Sequence, residues 1–386
     1  MDFDIVIVGA GLVGASFAMA LRGAGLKLAL VEAQAPAPDA DDWDSRVYAI
    51  SPGSAAFLQS LGVWQRLDRG RIGAVQEMRI HGDAADAQLR FSAYEAGVAE
   101  LAAIVESRHL QAVLWRGLEH QHKLELICPD RCVGLQLRED AAELSLAGGR
   151  TLRARLVVAA DGMHSWVREA AGIQAEVKPY GQMGVVANFA CAQPHYDTAF
   201  QWFRSDGVLA YLPLPGQRMS IVWSTADEHA AELLALSPDA FCARVAQAGK
   251  DTLGELELLS AAARFPLALL RAARLAAPRV ALIGDAGHVL HPLAGQGVNL
   301  GFGDARDMAR VLLQREVFRD PGEIRVLRRY ERARAEDILA LAWVTDGLHR
   351  LFAAPGSVAA KLRNAGLNLT DALPVVKNLL IRRALG

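Results

Sequence analysis

Two apolar runs near the amino terminus, Asp4–Val8 and Lys27–Glu32, predict neighbouring parallel strands, because a strand covered on both faces shows no polar side. Small and apolar residues continue between them from Val13 to Gly23, which predicts a helix completing a βαβ unit. Pro36 to Asp44, rich in Pro, Asp and Ala, reads as a loop, and a helical pattern follows from Ser54 to Leu67. Between Val177 and Phe265 the texture changes. Short alternating segments there (Val185–Phe189, Gly207–Leu214 and Met219–Ser224) predict an antiparallel sheet. From Glu323 onward, Leu327, Tyr330, Ile338, Leu341, Leu348 and Phe352 recur at helical spacing among Arg and Glu. There is no internal repeat and no low-complexity tract.

The expected architecture is therefore α/β: a Rossmann-like nucleotide-binding domain, an inserted antiparallel β-sheet domain, and a C-terminal helical region. Residues 1–75, 93–176 and 269–322 are assigned to the first, 76–92 and 177–268 to the second, and 323–386 to the third. A chain of 386 residues buries one large core or two linked ones, and a formal charge of −2 gives no reason to expect a nucleic-acid partner. Ile5 to Leu21 carries no charge, as a signal peptide or membrane span would, yet Asp2 and Asp4 stand where a signal peptide carries Lys or Arg. The stretch reads as a buried strand and helix of a cytoplasmic protein. Cys128, Cys132, Cys191 and Cys242 suit a reducing compartment and are expected to be buried, inert thiols.

Three motifs carry the chemistry. Gly9-Ala10-Gly11-Leu12-Val13-Gly14 follows the first strand and opens the first helix. Such a loop lets backbone approach a diphosphate, whose charge a helix start favours. Glu32, ending the next strand, stands where a carboxylate accepts hydrogen bonds from a ribose hydroxyl pair and disfavours the 2′-phosphate of NADP. A dinucleotide is therefore expected at Gly9, Gly11, Gly14 and Glu32, although the loop does not separate FAD from NAD. Asp285 helps to do so. It follows Val280–Ile283 at the carboxyl end of a buried strand, where it can accept hydrogen bonds from the ribityl hydroxyls that only FAD has. Gly295, Gly297 and Asn299 precede a helical stretch from Asp304 to Leu313, whose first amides can stabilise negative charge on a reduced isoalloxazine ring.

The third motif, Asp161 to Arg168, has two open readings. Asp161 either approaches the cofactor or caps a helix, with Arg168 as a tie between domains or a surface ion-pair partner. Arg46 and Arg108 are further candidates for the cofactor's polar middle, against the default of solvated surface arginines. His288 and His291 form an HxxH pair without a third ligand at suitable spacing, so no metal is expected. Neither a Gly-x-Ser-x-Gly elbow nor a P-loop is present, which removes the case for a hydrolase or NTPase. Tyr211, in the inserted sheet, either faces substrate or is a packed strand tyrosine.

With these motifs in place the chain resembles the class A flavoprotein aromatic hydroxylases, and more narrowly the ubiquinone-biosynthesis hydroxylase family (the UbiH/UbiF/VisC group). The narrower resemblance rests on four segments: Asp44 to Ser54, Glu106 to Gln111, Gly284 to Gly301, and the tail from Leu373 to Gly386. It implies FAD contacts at the Gly9 loop, Glu32, Arg46, Arg108, Asp285 and Gly297, with a β-sheet substrate domain over the ring. Gly287 stands where the family more often has Ala; both are small.

The resemblance also implies a monooxygenase that hydroxylates a polyprenylated phenol with O2 through a flavin C4a-hydroperoxide, which requires no protein nucleophile and no assigned catalytic base. A single dinucleotide loop means that electrons come from NAD(P)H bound without its own Rossmann domain, or from a partner reductase. Five basic residues (Lys361, Arg363, Lys377, Arg382, Arg383) against Asp371 in an apolar tail suggest either peripheral contact with an inner-membrane surface or docking on other ubiquinone-biosynthesis enzymes. The alternatives to hydroxylation are a flavin-dependent reductase of prenyl lipids and a non-catalytic flavin-fold subunit of a biosynthetic complex.

Overall fold

The computed structural model describes residues 1–38, 40–82, 87–290 and 297–353. Its first sheet grows from Phe3–Val8, which pairs in parallel with Leu28–Val31 on one side and with Thr151–Ala159 on the other. Leu124–Ile127 and Val280–Leu282 extend it in parallel at the two flanks. Every residue of Leu28–Val31 and of Val280–Leu282 is buried, so both faces are covered, and the sequence accordingly shows runs rather than alternation. A hairpin, Cys132–Leu137 with Ala142–Leu146, attaches antiparallel to the start of Thr151–Ala159.

The second sheet is built on Ala175–Cys191, flanked antiparallel by Arg218–Ala226 and Ala263–Ala272. Beyond Arg218–Ala226 come Gly207–Leu214 and Thr198–Arg204, then Glu77–His81 in parallel and Gln88–Ser92. One face buries Val185, Phe189, Tyr211 and Trp223 against the helices Asp227–Ala235 and Pro238–Ala248. Tyr211 donates its hydroxyl to Val245 O at 2.6 Å, so it is a packed strand tyrosine turned toward the helices. A small sheet of Val47–Ile50, Gly73–Val75 and Ala102–Glu106 packs on the larger one through Val75, Ile104, Ala199 and Leu214.

Some boundaries differ from the sequence expectation, for local reasons. The Ser54–Leu67 helix is Pro52–Ser60, started by Ser51, which accepts from Ser54 N, and followed by Gly62 at φ +74 and a short turn of 3-10 helix at Trp64–Arg66. Val185–Phe189 lies inside one 17-residue strand, because Pro179 and Gly181 mark a register shift rather than an end. The helix expected from Asp304 begins at Gly297 and runs to Leu313. Cys191 and Cys242 are buried while Cys128 and Cys132 are only half-buried; desolvation raises all four thiols, Cys132 and Cys191 to about 12.

The carboxyl-terminal helix, Ile324–Ala353, is fastened beneath the first sheet by Tyr330, which is fully buried and donates to Leu282 O at 2.8 Å. Leu282 ends the strand that leads to Gly284 and Asp285. Tyr330→Phe is expected to cost about 1 kcal/mol, the net worth of one buried hydrogen bond, read as a lowered urea midpoint with an unchanged slope.

Candidate cofactor site

Hydrogen bonding along the first sheet brings the three motifs to one edge. Gly9 N donates to Val31 O at 2.9 Å, Ala160 N to Val8 O at 2.8 Å, and Ile283 N to Ala159 O at 2.9 Å. The turns beginning at Gly9, Ala160 and Gly284 therefore lie side by side at the carboxyl ends of the strands, the edge where open α/β sheets hold ligands.

The glycines of the first loop answer to different demands. Gly9 has φ +99, and a Cβ on it would fall 2.4 Å from Ala160 O; one on Gly14 would fall 2.0 Å from Gly9 O. Those two are required by strand and helix packing. Gly11 has φ −62, and a Cβ there would meet nothing within 4 Å. The same is true of the space around Gly297, which begins the Gly297–Leu313 helix. Neither glycine is explained by contacts among the described residues. No side chain caps the helix that Gly11 opens, so its first amides remain directed at whatever the loop holds.

Glu32 reaches across this loop. Its carboxylate accepts from Ala10 N at 2.6 Å and from Gln34 N at 3.1 Å. The next peptide is held by Gln111, whose Nε2 donates to Ala10 O at 2.6 Å from the Ser107–Glu119 helix. Gln111 was not among the expected site residues. The available signal was helical spacing, since it stands one turn beyond Arg108 on the same helix.

Arg46 and Arg108 are both anchored at their backbone amides by Asp44, at 3.0 Å each. Arg108 turns its guanidinium to Asp42, donating to the carbonyl at 2.6 Å and to Oδ1 at 2.7 Å. Arg46 is exposed, with its guanidinium 5.4 Å from the Tyr48 ring centre and close enough to Asp285 to lower that carboxyl's pKa. The structure thus brings Arg46, Tyr48 and Asp285 together, while the Arg108 guanidinium is held on Asp42. Solvent reaches Asp285, yet protein crowds it, and desolvation raises its carboxyl above the usual range despite His288 and Arg46. Burial likewise raises the Tyr48 phenol, with Arg46 and Ser107 opposing and Asp285 reinforcing, so it stays protonated at neutral pH.

Asp161 does capping work: it accepts from Val167 N at 3.1 Å at the start of Trp166–Ala170, and desolvation raises its carboxyl. Arg168 is buried and donates to Met163 O and Ala286 O, both at 3.0 Å, tying this motif to the Asp285 turn. Asn299 clamps the Gly297 helix to the strand and helix around Tyr48, accepting from Ser51 N at 2.9 Å and donating to Ala49 O at 2.8 Å. Gly295 and His291 lie outside the described residues, as does the basic tail from Pro355 to Gly386. Among the described residues no cluster of metal-ligating side chains occurs.

Beneath the Asp285 turn lies a buried charge network that the sequence did not announce. Asp304 accepts from Gly284 N at 2.8 Å and from Arg334 Nε at 2.8 Å, with His288 Nε2 at 2.6 Å. Arg334 continues to Asp307 at 3.2 Å and Asp337 at 2.6 Å. The loop that carries Asp285 is thereby fixed to two helices.

The chain is similar to known proteins over nearly its whole length. A family model described as an FAD binding domain matches residues 2–342. The 3-demethoxyubiquinol 3-hydroxylase of Escherichia coli K12 is 34% identical, spanning 99% of this chain and 98% of that protein. Ubiquinone hydroxylase UbiL of Rhodospirillum rubrum is 33% identical, spanning 99% of this chain and 89% of its own. Among solved structures, PqsL of Pseudomonas aeruginosa, described as a probable FAD-dependent monooxygenase, superposes with a TM-score of 0.79 at 25% identity, covering 95% of this chain and 100% of that one.

Proposed function

The chain belongs to the FAD binding domain family, among its ubiquinone-biosynthesis hydroxylases, and from that premise we propose that it hydroxylates the aromatic ring of a polyprenylated phenol. The observation that carries the reading is the meeting, at one sheet edge, of a glycine loop at a helix start, the solvent-reached Asp285 carboxylate and a helix opening on an unforced glycine. Relatives named as a ubiquinone hydroxylase and a demethoxyubiquinol hydroxylase favour this substrate class over a reductase of prenyl lipids or a non-catalytic subunit.

The residues fit FAD. In this reading the backbone of Gly9, Gly11 and Gly14 holds the diphosphate, Glu32 the ribose hydroxyls, and Arg46 and Arg108 the polar middle. Asp285 accepts from the ribityl hydroxyls, and the amide of Gly297 meets the flavin ring. Asp161 and Asn299 act through the backbone they hold. Reduced by NAD(P)H, or by a partner reductase, FAD supplies the activation of O2. The chain's own contribution is placement and dryness. Asn188, fully buried on the second sheet, donates to Asp44 O at 2.8 Å and so draws that sheet over the segment carrying Arg46 and Tyr48. The protonated Tyr48 phenol is a hydrogen-bond donor in the same groove.

Among the described residues no helix is long and apolar enough to cross a membrane. A lipid-tailed substrate is then collected by peripheral contact with a membrane surface, to which the basic tail contributes.

The test combines NADH or NADPH, a short-chain prenylphenol and labelled dioxygen with the FAD-loaded protein. Product carrying one labelled oxygen per turnover is expected. Turnover without oxygen incorporation would point to the reductase, and a protein that cannot be loaded with FAD to the non-catalytic subunit.

A further inference from the structure

The Gly297–Leu313 helix runs about 24 Å away from the cofactor edge, at 1.5 Å per residue, and the surface changes character at its far end. Val317 and Phe318, consecutive in the turn after it, are 99% and 81% exposed, and Leu313 is 50% exposed. Single exposed apolar side chains are ordinary; two consecutive ones on a turn, four residues beyond a half-exposed leucine at the helix end, form a small patch. Arg319 lies over the Phe318 ring at 5.4 Å. Beside the patch is a groove of about 370 Å³, floored by Met19, Phe57 and Leu313 and edged by Arg22, Arg306 and Arg310, with no acid in its lining. The nearby acids are already engaged. Asp307 is nearly buried against Arg334, and Glu316 sits 2.8 Å from Arg329. Arg306 and Arg310 share Asp307 at 3.5 and 3.1 Å, yet each is about half exposed and still presents donors outward.

An apolar tip beside outward-facing arginines matches an anionic bilayer, with guanidinium groups at the phosphate level and Val317 and Phe318 below it. A second copy of this chain fits less well, because a two-fold contact would set Arg306 and Arg310 against their own counterparts. We propose that Val317 and Phe318, together with Arg306 and Arg310, dock this protein on an anionic phospholipid surface. The proposal rests on the peripheral-membrane reading above and assigns it a surface. Contact at this tip leaves the cofactor edge uncovered.

The test is flotation of the full-length, FAD-loaded protein with vesicles of phosphatidylcholine alone or mixed with phosphatidylglycerol. Wild type should float with the anionic vesicles. Val317→Ser with Phe318→Ser, and separately Arg306→Gln with Arg310→Gln, should each lower partitioning about tenfold while FAD content and melting temperature hold. The arginine variant should also lose most of the salt sensitivity of binding. If wild type floats and both variants float equally well, this surface is wrong while membrane contact stands. If wild type floats with neither vesicle, the membrane reading falls and the surface with it. If Phe318→Ser leaves flotation unchanged but dissociates a dimer in light scattering, the occupant is a second copy and the proposal is overturned.

Discussion

Gly11→Asp is expected to leave the protein folded and to lower its FAD affinity about a hundredfold or more. The position separates binding from folding. Its φ of −62 suits any residue, and a Cβ there meets nothing within 4 Å, so an added side chain neither strains backbone nor displaces a neighbour. Asp is moreover a favoured residue at a helix N-cap, and relative to Gly it should stabilise the unliganded protein by about a few tenths of a kcal/mol. Against FAD the same carboxylate sits where the diphosphate must come. Two unit charges 4 Å apart repel by about 4 kcal/mol at an effective dielectric of 20, and the new side chain would also take the amides that the phosphates need. The measurement is quenching of FAD fluorescence on titration, alongside the melting temperature without FAD. Gly14→Asp is the contrast, since its Cβ would fall 2.0 Å from Gly9 O and the fold itself should suffer. Unchanged FAD affinity in a well-folded Gly11→Asp protein would remove the diphosphate from this loop.

What could be read along the chain was what chemistry requires to be contiguous. The Gly9 loop, the Asp161 turn and the Gly284-Asp285 turn each sit directly after a buried strand, so motif and context appear within ten residues of one another. Fold class followed from the same source, because parallel strands buried on both faces and half-covered antiparallel strands carry different periodicities. Several features were invisible for the opposite reason. Gln111 does its work through Ala10, a hundred residues away, and its helical spacing from Arg108 marks a face but not that partner. His288, Asp304 and Arg334 belong to three elements whose meeting depends on how the last two helices cross. The small sheet of Val47–Ile50, Gly73–Val75 and Ala102–Glu106 has strands too short to show a period and partners too distant to suggest pairing. Pro179 and Gly181 lie inside one long strand, where they mark a register shift rather than its end.

Asp304→Ala is expected to cost about 3–5 kcal/mol of stability, the usual consequence of removing one partner from a buried ion pair. Asp304 is fully buried, and losing it leaves Arg334 enclosed with Asp307, Asp337 and the Leu300 carbonyl and withdraws the acceptor of Gly284 N. Because Gly284 adjoins Asp285, FAD affinity should fall together with stability. The pH dependence has a definite sign. Burial opposes charge on Asp304, but His288 and Arg334 outweigh it and hold the carboxyl below the ordinary range. A carboxylate depressed by folding stabilises fully above its unfolded pKa of about 3.9 and loses that contribution as pH falls through the folded value. The stability gap between wild type and Asp304→Asn, which keeps the shape and removes the charge, should therefore hold steady from neutral pH to about 5 and close only in stronger acid. Urea denaturation across that range measures it. A gap already closing between pH 7 and 5 would mean that the Asp304 carboxyl is not held below its ordinary range, and Asp304→Ala as stable as wild type would show that the Asp285 turn is held by the strand ladder alone.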